Sequence, residues 1–242
     1  MPGVVAEPAG FSVFPITGIP EVIPGDDIAA LIADRFTGRD DDIVVVTSKV
    51  VSKAEGRFRP ATEKQQAIEE ESRRVVASRE TDHGTILITE NHLGIVQANA
   101  GIDESNSPDG HLILLPKDPD GSARAIRSAL EARWGARVAV VITDTAGRPW
   151  RLGHTDIAIG ASGMAAFLEL QGTLDDDGRP LRVTRPCVLD EVAAAADLVK
   201  GKTSRCPVVV VRGLGALVAA DVGQGAAAVI RDASEDLFRH GG

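Results

Sequence analysis

Three short runs of branched aliphatic residues constrain the fold most: DIVVVT (42–47), VAVVIT (138–143) and CPVVVV (206–211). β-Branched side chains are stiff at χ1 and pack well on a pleated surface, so each run reads as a buried strand. The chain offers little else for a core. Aromatic residues make up 3% of its 242 residues and tyrosine is absent, so the interior must rest on Val, Ile, Leu and Ala. The length suffices to bury such a core, as one large domain or two small ones.

Charge narrows the partners. With 26 basic and 35 acidic residues the formal net charge is -9. That disfavours nonspecific binding to nucleic acid and adhesion to an anionic membrane surface, both of which need a basic face. An anionic ligand would need local positive charge from a metal ion or a few placed Lys and Arg. Cys187 and Cys206 belong to no metal-type spacing and read as reduced, partly buried thiols. No run of 18 apolar residues is present, and MPGVVAEPAG has no basic signal-type segment, so a cytoplasmic protein is expected.

Between the buried runs the pattern alternates irregularly. FSVFPITGIPEV reads as a strand entering an irregular loop. PGDDIAALIADRF is a helix capped by Asp26 or Asp27, with Ile28, Leu31, Ile32 and Phe36 on one face. Residues 62–80 are charged, and Ile68, Val75 and Val76 lie about a heptad apart, which suggests a solvent-facing helix. GTILITE, LGIVQANAGID and GHLILLP read as short strands. Ser122 is a candidate cap for a helix that Gly135 stops, and Asp190 for one that Gly201 stops. Leu174 to Arg182 resembles a hairpin or an inter-subdomain loop, GLGALVAADVGQG a flexible loop, and the tail RDASEDLFR a helix. Strands and helices mix without strict βαβ alternation, which favours an α+β fold over a doubly wound sheet.

No P-loop, dinucleotide fingerprint, HExxH or CxxC motif occurs. Polar residues instead collect where strands end. VVVTSKVVSKAEG places Ser48, Lys49 and Lys53 after a buried strand, as a phosphate-binding group or as a solvated turn. GIDESN supplies Asp103 and Asn106, which could share a hard cation and a nucleotide phosphate, or simply form a turn. TDTAGRPWRLGHTD is richest. Asp144 and Thr145 offer hard oxygens for Mg2+ or Mn2+, Arg148 and Arg151 could grip an anionic substrate, and His154 is a ligand or a structural donor. The residues alone point to a metal-dependent enzyme acting on a phosphate-bearing ligand.

Six stretches in order, PITGIPEVIPGDD, VVVTSKVVSKAEGR, LITENHLGIVQANAGIDESN, VAVVITDTAGRPWRLGHTDIAIG, DEVAAAADLVKGK and RDASEDLFR, resemble the coenzyme F-420-0:L-glutamate ligase family over nearly the whole chain. The resemblance implies one ligase domain over residues 1–242, a mixed α/β fold of two subdomains, and an intertwined homodimer. It implies an enzyme that uses GTP with Mg2+ or Mn2+ (K+ is a further candidate) to add γ-linked glutamate to coenzyme F-420-0 through an acyl phosphate. By motif, Ile19, Pro20, Glu21 and Val22 resemble the nucleotide-contacting loop, and Ser48, Lys53 and Asn106 its polar contacts. Asp103, Asp144 and Thr145 resemble the metal ligands. Asp144, Lys53 and Arg148 are expected to carry the chemistry. Arg148 and Arg151 are assigned by charge to the coenzyme tail or the incoming glutamate, and Gln224 is a weaker candidate near the metal or base. The nitroreductase-like second domain of some actinobacterial relatives is not expected within these residues. The competing readings are a same-fold ligase with another carboxylate acceptor and a GTP-binding regulatory module without turnover.

Overall fold

The computed structural model describes residues 10–82, 84–104, 110–219 and 225–238. The strands are β1 (Ser12–Pro15), β2 (Asp42–Thr47), β3 (Phe58–Pro60), β4 (Ser72–Thr81), β5 (Gly84–Asn91), β6 (Val96–Ala98), β7 (His111–Ile113), β8 (Val138–Arg148), β9 (Arg151–Ser162) and β10 (Val208–Arg212). The helices are α1 (Ile28–Ala33), α2 (Ser48–Ala54), α3 (Lys64–Glu71), α4 (Pro119–Trp134) and α5 (Val188–Lys200). No helix among the described residues is long and apolar enough to cross a membrane.

The three aliphatic runs become the centre of one sheet with strand order β1-β10-β2-β8-β9. Only the β2–β8 pairing is parallel. Side chains alternate across a strand, and here both faces are covered, so residues 43–46, 138–142 and 208–211 are all apolar. Val44 and Val46, Val138, Val140 and Ile142, and Val208 and Val210 pack with α1 and α4. Ile43 and Val45, Ala139 and Val141, and Val209 and Val211 pack with α5. The mixed α/β architecture is compatible with the α+β class expected from the sequence. β4, β5 and β6 form a separate antiparallel sheet, and β3 and β7 pair with each other.

Edge strand β9 is held from both sides by helix N-termini. Asp190, in the first turn of α5, accepts from the Ala158 amide at 2.9 Å. Asp120, in the first turn of α4, accepts from Ala161 at 2.7 Å and from Ala226 at 2.8 Å. The contact requires Gly160. A Cβ there would lie 2.5 Å from the carbonyl carbon and oxygen of Pro119.

Several expectations need correction. The helix expected over 62–80 stops at Glu71 and the chain continues as β4. A seven-residue spacing from Ile68 to Val75 cannot tell a helix from a helix followed by a strand. The β-branched pair Val75 and Val76 favours the pleated surface, and Arg74 pairs with Glu90 of β5 at 2.6 Å. Glu71 ends α3 between Arg57 (2.8 Å) and His92 (3.0 Å). Burial opposes its charge, but those two partners outweigh burial and hold its carboxyl below the usual range. The described part of the tail, to Phe238, is not helical. Asp232 and Asp236 accept from the amides of Ser234 and Phe238, at 2.8 and 3.0 Å, offering the backbone local turns in place of a helix.

Two caps shift as well. α4 begins before Ser122, with Asp118 as its cap accepting from Gly121 at 2.8 Å and Pro119 at its first position. The α5 cap position is Cys187, which makes no side-chain capping bond; Asp190 lies in the first turn and accepts from β9 instead. Leu174 bridges Pro180 around a turn held by Asp175, as the hairpin reading expects. Much of the glycine-rich segment is built in: Val218 is buried and bridges Met164, while residues 220–224, including Gln224, lie outside the described residues.

Gly160→Ala is expected to destabilise the protein by about 1–3 kcal/mol, because backbone and not a mobile side chain must yield. Denaturant unfolding would show a lower midpoint with an unchanged slope.

Candidate active site

The parallel pairing of β2 with β8 sets Thr47 opposite Thr143. β2 ends there and turns into α2, while β8 runs on. The side of β8 left without a strand partner is therefore met by the first turn of α2. Ser48 Oγ donates to Asp144 Oδ1 at 2.8 Å. The polar segment after Ile142, expected to lie where the strand ends, is a two-stranded ribbon in which Asp144 opposes Ile157 and Arg148 opposes Arg151.

Asp103 reaches the same place from another direction. Its backbone exchanges two hydrogen bonds with Ile113 at the end of β7, 2.9 and 2.8 Å long. Its carboxylate lies 2.7 Å from Lys49 Nζ of α2. Asp103 and Asp144 feel each other's charge. Burial pushes Asp144 up to about 6, Asp156 and Asp103 add to the rise, and hydrogen bonds from Ser48 and the Thr145 backbone hold it back.

Lys53, in the last turn of α2, is buried and pairs with Glu21. With Val22, Ile23, Pro24, Phe58 and His111 they line a cavity of about 290 Å³. The 19–22 loop thus lies beside Lys53: Val22 enters the core, Ile19 packs against it, and Pro20 and Glu21 are exposed. The Gly25 amide ties the loop to α2 by donating to Ala54 O at 2.8 Å.

Other candidates lie apart from this centre. Side-chain alternation turns Thr145 to the opposite face of β8 from Asp144, where its hydroxyl donates to Asp156 at 2.7 Å. Arg148 and Arg151 are exposed at the ribbon tip, four residues or about 13 Å of strand beyond Asp144, and Arg148 donates to Leu152 O at 3.0 Å. His154 is exposed opposite Gly147. Asn106 lies outside the described residues. A polar cluster of Asp156, Lys200, Lys202 and Thr143 escaped the sequence reading. Its one signal was an acidic residue inside the apolar alternation of HTDIAIG.

The donor set suits a hard divalent cation. Two carboxylates and a hydroxyl converge, and Asp144 has no cationic side chain paired with it among the described residues. No group of three carboxylate, imidazole or thiol ligands is preassembled among the described residues. Water or substrate phosphate oxygens would complete such a shell, the usual arrangement for Mg2+.

Residues 17–213 match the family model described as F420-0:Gamma-glutamyl ligase. The chain belongs to the F420-0:gamma-glutamyl ligase family. It is 41% identical to the coenzyme F420:L-glutamate ligase of Archaeoglobus fulgidus, over 94% of this chain and 96% of that protein. It is 38% identical to the Haloarcula marismortui protein of that name, over 94% and 95%. It is 42% identical to that of Halorubrum lacusprofundi, over 82% and 86%. Family membership makes the chain a ligase of coenzyme F420 biosynthesis. Asp103, Asp144, Ser48 and the 19–22 loop all fall within the matched span.

A carboxyl group whose pKa rises on folding costs stability once ionised. The stability conferred by its protonated form is lost as pH climbs from the ordinary value of 3.8 through about 6. Metal-free Asp144→Asn protein should therefore melt higher than wild type at pH 7.5, by at most about 3 kcal/mol, with the difference vanishing near pH 4. Calorimetry in chelator at the two pH values checks this; equal melting at pH 7.5 would contradict it.

Proposed function

We propose that this ligase uses GTP to phosphorylate the terminal carboxylate of coenzyme F-420-0, and that the amine of L-glutamate then attacks the acyl phosphate. A coenzyme carboxylate oxygen attacks the γ-phosphorus, and GDP leaves. The glutamate nitrogen then forms the amide bond, loses a proton, and expels inorganic phosphate. The observation that carries the reading is the hydrogen bond from Ser48 to Asp144, with the Asp103–Lys49 pair close enough to act on Asp144, where β2 ends and β8 runs on.

A carboxylate is a poor electrophile because its leaving group would be oxide; phosphorylation supplies a better one. Asp103 and Asp144 would hold Mg2+ or Mn2+, which offsets the charge that builds on the phosphoryl oxygens. Lys53, buried at the apolar cavity, would meet a nucleotide phosphate, with Glu21 as its counter-charge until then. Ser48 orients Asp144. Arg148 and Arg151 fit a role at the distal, anionic end of the coenzyme, since they stand about 13 Å of strand from Asp144. A homodimer belongs to the same reading. Val75, Val76 and Ile86 are exposed on β4 and β5, an apolar surface that a second copy would cover.

The purified chain, given F-420-0, glutamate, GTP and Mn2+, should produce coenzyme species heavier by whole glutamate residues in intact-mass analysis. Asp144→Asn and excess chelator should each abolish the increments. GTP binding without any increment would overturn the reading. A soluble Asp144→Asn enzyme with wild-type turnover would remove Asp144 from the site.

A further inference from the structure

The far face of β8 carries a polar cluster that none of the chemistry above uses. Asp156 of β9 and Lys200 at the end of α5 are each 3% exposed, and Lys200 Nζ lies 2.6 Å from Asp156 Oδ2. Lys200 also meets Thr143 Oγ1 at 2.5 Å. The Thr143 hydroxyl donates to Asp156 Oδ2 at 2.9 Å and that of Thr145 to Oδ1 at 2.7 Å. Lys202 closes the cluster from the solvent side, 2.5 Å from Thr145 Oγ1.

Stability alone gives little reason for such a pair. Desolvation of two charges can exceed their attraction, and apolar residues of similar volume often serve as well or better. The surrounding face, Ala139, Val141, Ala158, Val192 and Ala196, would accommodate them. What distinguishes the cluster is its place. Thr143 and Thr145 flank Asp144, and both hydroxyls are gripped by one carboxylate. The β8–β9 register also slips between Ile142 and Thr143, so the regular ladder does not by itself fix the backbone there. Asp156 is close enough that its charge is among those raising Asp144.

We propose that the buried Asp156–Lys200 pair is a positioning device for Asp144: by holding the hydroxyls of Thr143 and Thr145 on one face of β8, it fixes the direction in which the Asp144 carboxylate leaves the other. Asp156 and Lys200 touch no substrate in this scheme and act through the strand. The inference rests on Asp144 being a cation-holding carboxylate. It adds the residues that give that ligand its aim, as outer groups do for metal ligands generally.

The test is Mn2+ binding by the full chain, with Mn2+ alone and no nucleotide or coenzyme, followed by the loss of the free-ion EPR signal. Thermal melting in parallel establishes that each variant is folded at the assay temperature. Asp156→Asn should bind Mn2+ about 10–100-fold more weakly than wild type. Thr143→Val should shift affinity in the same direction, and Thr143→Ser, which keeps the hydroxyl, should restore it. A purely structural role would lower the melting temperature and leave the affinity of the folded protein unchanged. Affinity within twofold of wild type in both Asp156→Asn and Thr143→Val overturns the proposal. If Asp156→Asn does not fold, Thr143→Val decides it. Wild-type protein that binds no Mn2+ overturns the metal reading, and this proposal with it. Wild-type binding with unaffected variants overturns this proposal alone.

Discussion

The parallel register of β2 against β8 is the constraint on which the site depends. Because Thr47 lies level with Thr143, one strand ends where the other continues, and the first residue of α2 fills the vacated edge. Ser48 and Asp144, 96 residues apart in sequence, then meet at 2.8 Å. The register is itself secured by burial. A one-residue slip would reverse the facing of every side chain in β2 relative to β8, and both faces of these strands are packed against helices.

The molecule concentrates its unfavourable electrostatics at this point. Asp144 is pushed up to about 6 by burial and by two neighbouring carboxylates, while Asp156, buried in the next strand, is held below the usual range: burial raises it, and Lys200 and the two threonine hydroxyls more than compensate. One carboxylate is neutralised by protein and the other is not. A cation beside Asp144 would offset the charge that burial disfavours. Several other acidic residues are structural. Asp120 and Asp190 close the edge of β9, Asp27 and Asp118 cap helices, and Asp42 is fully buried against Arg212 at 2.7 Å.

The core strands were readable because β-branched runs have one good solution, a pleated surface covered on both sides. The helix caps were readable only to within a few residues, because Asp26, Asp27, Ser122 and Asp190 all have capping chemistry and the neighbouring elements chose among them. Asp190 shows the reason: its carboxylate satisfies a donor on β9, 32 positions away, in place of one on its own helix. The 62–80 segment misled because its charges suit any solvated element, and its own pattern does not show that the neighbouring strand β5 pairs with it.

By itself the sequence determined the aliphatic core, the polar residues at strand ends, and the family. Each of these is local: the stiffness of Val and Ile, and motifs of consecutive residues. Tertiary structure alone decided which polar residues share a face. It put Asp144 with Ser48 and Asp103, turned Thr145 away toward Asp156, and set Lys200 beneath them from a helix that begins some forty residues later. These choices follow from strand register, side-chain alternation and helix docking, which are properties of the packed chain and are not written at any one position in it.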